Sequence, residues 1–197
     1  MPHEIGVHMP FSQSSQISAI VAFLEQTSPR SVLDVGVGMG QYGYLARMHL
    51  ENVDLFEIHG AEGRLKRPDE WARRIDGIEG CSIYLTPVHE YVYNKIFIGD
   101  ALEILPTLAD DAYEVVLAVD ILEHFTTGDG RLFLHHLQRV ASQHVLVSTP
   151  KEFVPQQVEP NPYENHRSLW SDRDLIELGY RRILPNDQSW IAVLSHV

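Results

Sequence analysis

Apolar positions along the chain change period several times, and each change marks an element. Ile17, Ile20, Val21 and Leu24 fall at helical spacing behind Ser14 and Ser15, residue types that cap helices. That helix is expected to stop before Pro29, because the residue ahead of a proline avoids the helical region. Val32, Leu33 and Val35 form a continuous apolar run, which predicts a strand buried on both faces. Tyr42, Leu45, Ala46 and Met48 return to helical spacing. Lys95, Ile96, Phe97 and Ile98 predict a short strand that closes in Gly99-Asp100-Ala101. Six of the eight residues over 113–120 are apolar, which predicts a central strand. Leu132, Phe133, Leu134 and Leu137 predict an amphipathic helix within 128–138, and 144–150 a further strand. A capped helix follows over 171–179. Residues 181–184 and 190–196 read as a strand pair turning around Pro185, Asn186 and Asp187.

Alternating strands and helices with a closing strand pair predict an α/β fold. The expected form is a Rossmann-like, doubly wound, seven-stranded, mostly parallel sheet, with helices on both faces and a closing antiparallel strand. At 197 residues the chain suits one domain, 1–197. Within it, 1–30 is expected to form an N-terminal arm and helix, about 50–72 an insertion, and 151–170 a loop over the site, since loops this long are often lids or binding loops.

Composition narrows the partners. The formal net charge is −12, and only one stretch, Arg64, Lys66, Arg67, Arg73 and Arg74, approaches a basic cluster. Asp69 and Glu70 interrupt it, so a nucleic-acid footprint is disfavoured while a small molecule is not. Cys81 is the only cysteine, which excludes an intrachain disulfide and a cysteine zinc cluster. No apolar run approaches the roughly 20 residues that cross a bilayer, and no secretory segment opens the chain. The expectation is a cytoplasmic protein without membrane contact. The oligomeric state stays open, with a homodimer allowed.

The chemistry centres on residues 31–47. Asp34 stands near the end of the first strand, and Gly36, Gly38 and Gly40 follow at alternate positions before the helix. Glycines suit a turn that needs backbone angles unfavourable to a Cβ and that lets a ligand approach the main chain. This pattern resembles motif I of the class I S-adenosylmethionine-dependent methyltransferases, an acid followed by Gly-x-Gly-x-Gly. The resemblance implies that Asp34 faces the methionine ammonium, directly or through water, and that Gly36, Gly38 and Gly40 let the cofactor lie on the chain. Tyr42, at the helix start, joins that group. The same letters also spell Gly-x-Gly-x-x-Gly over 38–43, the fingerprint of a dinucleotide site. An acid at the strand end suits a sulfonium and an ammonium better than a pyrophosphate, so S-adenosylmethionine is preferred.

The second strand of such a sheet should end in an acid that accepts from both ribose hydroxyls. Residues 53–58, with Glu57, compete with 74–79, with Glu79. Ile75-Asp76-Gly77-Ile78-Glu79 is closer to the family's strand end, so Glu79 is preferred, although it lies beyond the usual spacing of about 20 residues. By the same resemblance Asp100 meets the adenine amino group and the Ala101 N–H a ring nitrogen. Asp100 also suits a helix N-cap. Asp120, Glu123 and His124 follow the fourth strand as Asp-x-x-Glu-His, which places them near the transferred methyl, and Asp120 is counted with the cofactor-binding residues. His124, with His166 second, is the candidate base or hydrogen-bonder toward the acceptor, since an imidazole titrates near neutral pH. Packing under the cofactor is an equal reading of His124. Glu123 and His124 with His135, His136 or His166 offer metal-ligand atoms. Sequence neighbours rarely share one ion, so no metal is expected. The expected activity is methyl transfer to a small-molecule acceptor by in-line displacement. The alternatives are a dinucleotide-dependent oxidoreductase and a non-catalytic cofactor-binding module.

Overall fold

The computed structural model describes residues 12–51, 56–59, 61–158 and 161–196. The arm expected over 1–10 lies outside the described residues. Helix α1 (Ile17–Thr27) leads into strand β1 (Ser31–Val35) and helix α2 (Gln41–Leu50). A hairpin of β2 (Phe56–His59) and β3 (Glu62–Leu65) precedes β4 (Arg74–Glu79). Then come α3 (Pro87–Val92), β5 (Lys95–Ile98), α4 (Ala101–Ile104), β6 (Tyr113–Val119), α5 (Thr127–Val140) and β7 (Ala141–Pro150). Helix α6 (Asp172–Glu177) and strands β8 (Arg182–Leu184) and β9 (Ser189–Ser195) close the chain.

Seven strands form one sheet in the order β5-β4-β1-β6-β7-β9-β8. The pairs from β5 through β7 are parallel, whereas β7–β9 and β8–β9 are antiparallel. The dinucleotide-binding sheet has six strands in the order 3-2-1-4-5-6; here an antiparallel strand is inserted beside β7. The chain leaves β1 toward β4 and β5, then returns to β6 on β1's other side. This reversal opens a crevice beyond the carboxyl ends of the parallel strands, where ligands bind in open α/β sheets.

Period-2 alternation divides the core between the two faces. Val32, Val115 and Leu117 pack with Ile20, Leu24 and Ala46 of α1 and α2. Leu33, Val116 and Ala118 pack with Phe133, Leu134 and Leu137 of α5. Both faces are covered, which explains why the central strands read as continuous apolar runs.

The contest for the second strand resolves by topology. Strand β4 pairs with β1 and β5, which puts Glu79 at a tip of the main sheet. Glu57 stands on the separate hairpin and pairs with Arg64 at 2.6 Å. One local expectation fails. Ser14 and Ser15 open a 3₁₀ turn without capping the helix by side chain. Ser15 Oγ instead donates to Gln188 Oε1 at 3.1 Å.

A buried cation fixes α2 behind the site. Arg47 is fully enclosed and donates to Glu51 Oε1 at 2.9 Å, to the Val92 carbonyl at 2.8 Å and to Asn94 Oδ1 at 2.9 Å. Its guanidinium lies 3.8 Å from the Trp71 ring centre. This network ties α2 to the end of α3 and to the chain entering β4. Breaking a buried pair on one side costs about 3–5 kcal/mol, so the arrangement resists repacking.

Candidate functional site

Between β1 and α2 the chain turns through three glycines with positive φ, Gly36 at 80°, Gly38 at 51° and Gly40 at 81°. The backbone angle favours glycine at Gly36, and a Cβ there would stand 2.8 Å from Ile121 Cδ1, so the tip of that side chain would have to move. Gly38 N–H donates to Glu79 Oε2 at 2.8 Å, and Cys81 N–H donates to Oε1 at 2.8 Å. The two bonds clamp the carboxylate beside the turn. Burial raises the Glu79 pKa, and the backbone donors oppose that rise. Asp100 caps α4, its Oδ1 accepting from Leu102 N–H at 2.8 Å.

Gly36, Gly38, Glu79, Asp100 and Ala101 line one wall of a cavity of about 600 Å³. Asp120, Glu123, His124, His166 and Arg167 line the other, with Ser12 and Gln13 at its rim. Asp120 has a positive φ of 50°, which aspartate tolerates better than most side chains. Its Oδ1 accepts from Ser148 Oγ at 2.9 Å, and its Oδ2 from Gln16 Nε2 at 2.5 Å and Gln13 N–H at 3.2 Å. The entry to α1 is thereby tied across the mouth.

Glu123 and His124 sit on a single 3₁₀ turn, Leu122–His124. Glu123 is buried and accepts from Thr149 Oγ1 at 3.1 Å; burial and nearby Asp120 push its carboxyl well above the usual range. Its backbone carbonyl accepts from Arg167 N–H at 2.8 Å and Ser168 N–H at 3.1 Å, docking the long loop onto the turn. The loop brings His166 against His124, ring centres 5.0 Å apart. Burial, reinforced by His166, lowers the His124 pKa to about 4, so its ring is neutral at neutral pH. His135 and His136 pack against each other on α5 and do not line this cavity. Trp170 also stands apart, buried in the core against Gly130, where a Cβ would meet its ring at 2.5 Å.

No protein-family model matches the chain, and no curated protein matches it by sequence. Solved structures do match it. A protein of Pyrococcus horikoshii shares 16% identity over 96% of each chain, with a TM-score of 0.59. A SAM dependent methyltransferase from Archaeoglobus fulgidus shares 13% identity over 91% of this chain and 94% of its own, with a TM-score of 0.57. The magnesium protoporphyrin IX methyltransferase of Synechocystis, solved with bound SAH, shares 16% identity over 92% of this chain and 82% of its own, also at 0.57. The chain has the class I methyltransferase fold. No helix among the described residues is long and apolar enough to cross a membrane.

On this methyltransferase fold the residues singled out in the sequence divide into two groups. Gly36, Gly38, Glu79, Asp100, Ala101, Asp120, His124 and His166 meet around the cavity. Asp34, Gly40 and Tyr42 are not among the residues that line the cavity. Asp34 Oδ2 accepts from Tyr93 Oη at 2.6 Å, so its carboxyl points toward α3. Burial raises its pKa to about 7 against the opposing bonds from Tyr93 and Gly43 N–H. Tyr42 is buried on α2, and burial beside Asp120 and Asp34 pushes its hydroxyl up. Gly40 gives way to His89, whose Nε2 donates to the Gly38 carbonyl at 2.9 Å. Sequence reasoning missed His89, Tyr93, Gln13 and Gln16. For the first two a signal existed, since they stand one helical turn apart on a segment that must pack somewhere.

Proposed function

We propose that this chain is an S-adenosylmethionine-dependent methyltransferase of the cytoplasm, acting on a small-molecule acceptor. The clamped Glu79 beside the glycine turn carries the reading. Each of its oxygens already takes one backbone N–H and keeps a lone pair, which suits two vicinal ribose hydroxyls. Gly36 and Gly38 present bare backbone where the nucleoside must come close. Asp100 has one oxygen held by α4, which leaves the other for an amino group. These donors and acceptors fit the cofactor, which when bound supplies a methyl group already activated on a sulfonium.

The chain's own work is then to position and to exclude water. Asp34, through Tyr93, holds the turn from behind in place of touching the methionine ammonium. His124 is neutral at working pH and orients an acceptor in preference to storing a proton. The described parts of the long loop, 151–158 and 161–168, and the entry to α1 supply the rest of the cavity lining.

Calorimetry with S-adenosylmethionine, its demethylated product and the nicotinamide nucleotides tests the cofactor. One site for the first two and none for the third is expected. Binding of nicotinamide nucleotides alone overturns the reading. A labelled-methyl assay against a metabolite extract then tests transfer, and cofactor binding without any transfer would reduce the chain to a binding module.

A further inference from the structure

We propose that Glu123, His124 and His166 form a site for one divalent first-row transition-metal ion on the acceptor side of the cavity. One ligand atom from each of the three residues lies within 4.8 Å of the others. Ligands on opposite sides of an ion bound at about 2.1 Å stand about 4.2 Å apart, so small side-chain shifts close the set. The two sequence neighbours, Glu123 and His124, both stand on the 3₁₀ turn Leu122–His124, and their ligand atoms still come within that distance of each other and of His166.

The surroundings match a ligand set in three respects. His166 Nδ1 lies 2.6 Å from the Val154 carbonyl; a carbonyl only accepts, so the proton is on Nδ1 and the lone pair on Nε2. His124 Nδ1 faces the Asn165 carbonyl at 3.4 Å, and Thr149 Oγ1 donates to Glu123 Oε2. Such outer partners orient metal ligands. The spacing is set by backbone, because Arg167 and Ser168 N–H both donate to the Glu123 carbonyl. Finally, Glu123 is buried, and among the described residues no lysine or arginine pairs with it. An isolated carboxylate in that position is costly, and a cation offsets the cost. Two imidazoles and one carboxylate favour manganese, iron, cobalt, nickel or zinc over calcium and magnesium.

All three residues line the cavity, so the remaining coordination positions face it. If methyl transfer is the activity, a consequence that rests on that reading, the acceptor bears a hydroxyl. A metal-bound hydroxyl gives up its proton more readily than a free one.

The test reads the metal without the cofactor, so its failure is separate from failure of the methyltransferase reading. Chelator-treated full-length protein is titrated with Co²⁺ alone, following the visible d–d absorption and the melting temperature. One ion per chain is expected, with a rise in melting temperature. His124→Gln and His166→Gln should each weaken binding by more than about tenfold, since even an outer partner is worth that much. Metal-free melts of the variants that match the parent show that the fold survives. His135→Ala should bind like the parent. Absence of Co²⁺ binding, its survival in the doubly substituted His124→Gln, His166→Gln protein, or its loss in His135→Ala overturns the proposal.

Discussion

The two walls of the cavity are built on different principles. The wall of Gly36, Gly38, Glu79 and Asp100 is made at strand tips, where backbone angle and backbone N–H groups set every position. The wall of Asp120, Glu123, His124 and His166 is made of side chains brought together from β6, the 3₁₀ turn, the long loop and the entry to α1. A backbone-made wall serves one shape of ligand and depends on few substitutable groups. A side-chain wall can change its specificity without touching the fold. On the proposed function, the first wall takes the cofactor and the second the acceptor.

The largest effect should come from filling the first wall. Gly36→Val places a branched side chain at a φ of 80° with its Cβ 2.8 Å from Ile121 Cδ1. The positive φ costs a branched residue about 1–3 kcal/mol of stability, and the added side chain takes up space in the cradle that the ligand must occupy. Calorimetry should detect no S-adenosylmethionine binding by this variant. Binding within tenfold of the parent would mean that the glycine turn is not the cradle.

Next in size is the support behind that wall. The Asp34 carboxyl is raised from 3.8 to about 7 in the folded chain. Between those values the folded state keeps a proton that the unfolded state has lost. Stability therefore falls as pH rises across that window, by about 1.4 kcal/mol per pH unit and as much as ~4 kcal/mol in all, and levels off above about pH 7. Urea melts from pH 4 to 8, compared with those of Asp34→Asn, isolate this contribution. A difference curve that is flat, or that rises with pH, contradicts the assigned environment.

The same contrast explains what could be read from the sequence. Glycines at alternate positions after an apolar run obey local rules, and so do the runs themselves, because a strand covered on both faces has no polar side. The doubly wound sheet followed from those signals. Asp34 did not, because its orientation is decided by Tyr93, a residue that meets it only after α3 packs on α2. His166 was visible as a loop histidine, but its approach to His124 depends on two N–H groups docking on the Glu123 carbonyl. Gln16 carried no signal, because its bond to Asp120 is a property of the folded chain alone.

A paired substitution separates the walls. Glu79→Gln keeps the size of the side chain but weakens acceptance from hydroxyls and from Gly38 and Cys81 N–H. Charge-assisted bonds of this type are worth about 1.5–3 kcal/mol, so cofactor affinity should fall about tenfold to a hundredfold. The acceptor's KM should stay put. His124→Gln should do the reverse, lowering kcat/KM for the acceptor while S-adenosylmethionine binds as before. Parallel losses in both variants would merge the two walls into one site.

The smallest effect addresses the boundary. Asp120 was read with the cofactor residues, yet its oxygens hold Gln13, Gln16 and Ser148 at the acceptor rim. Gln16→Leu removes one donor from a half-buried carboxylate that keeps Ser148, Ser12 and the Gln13 N–H, so the loss of stability should be near the low end of the usual penalty, about 1 kcal/mol. The freed segment should then cover the mouth less well. A rise of a few-fold in the acceptor's KM with unchanged cofactor affinity assigns Asp120 and its tether to the side-chain wall. A fall in cofactor affinity with an unchanged KM moves the boundary past Asp120, and the glycine turn then shares its ligand with the entry to α1.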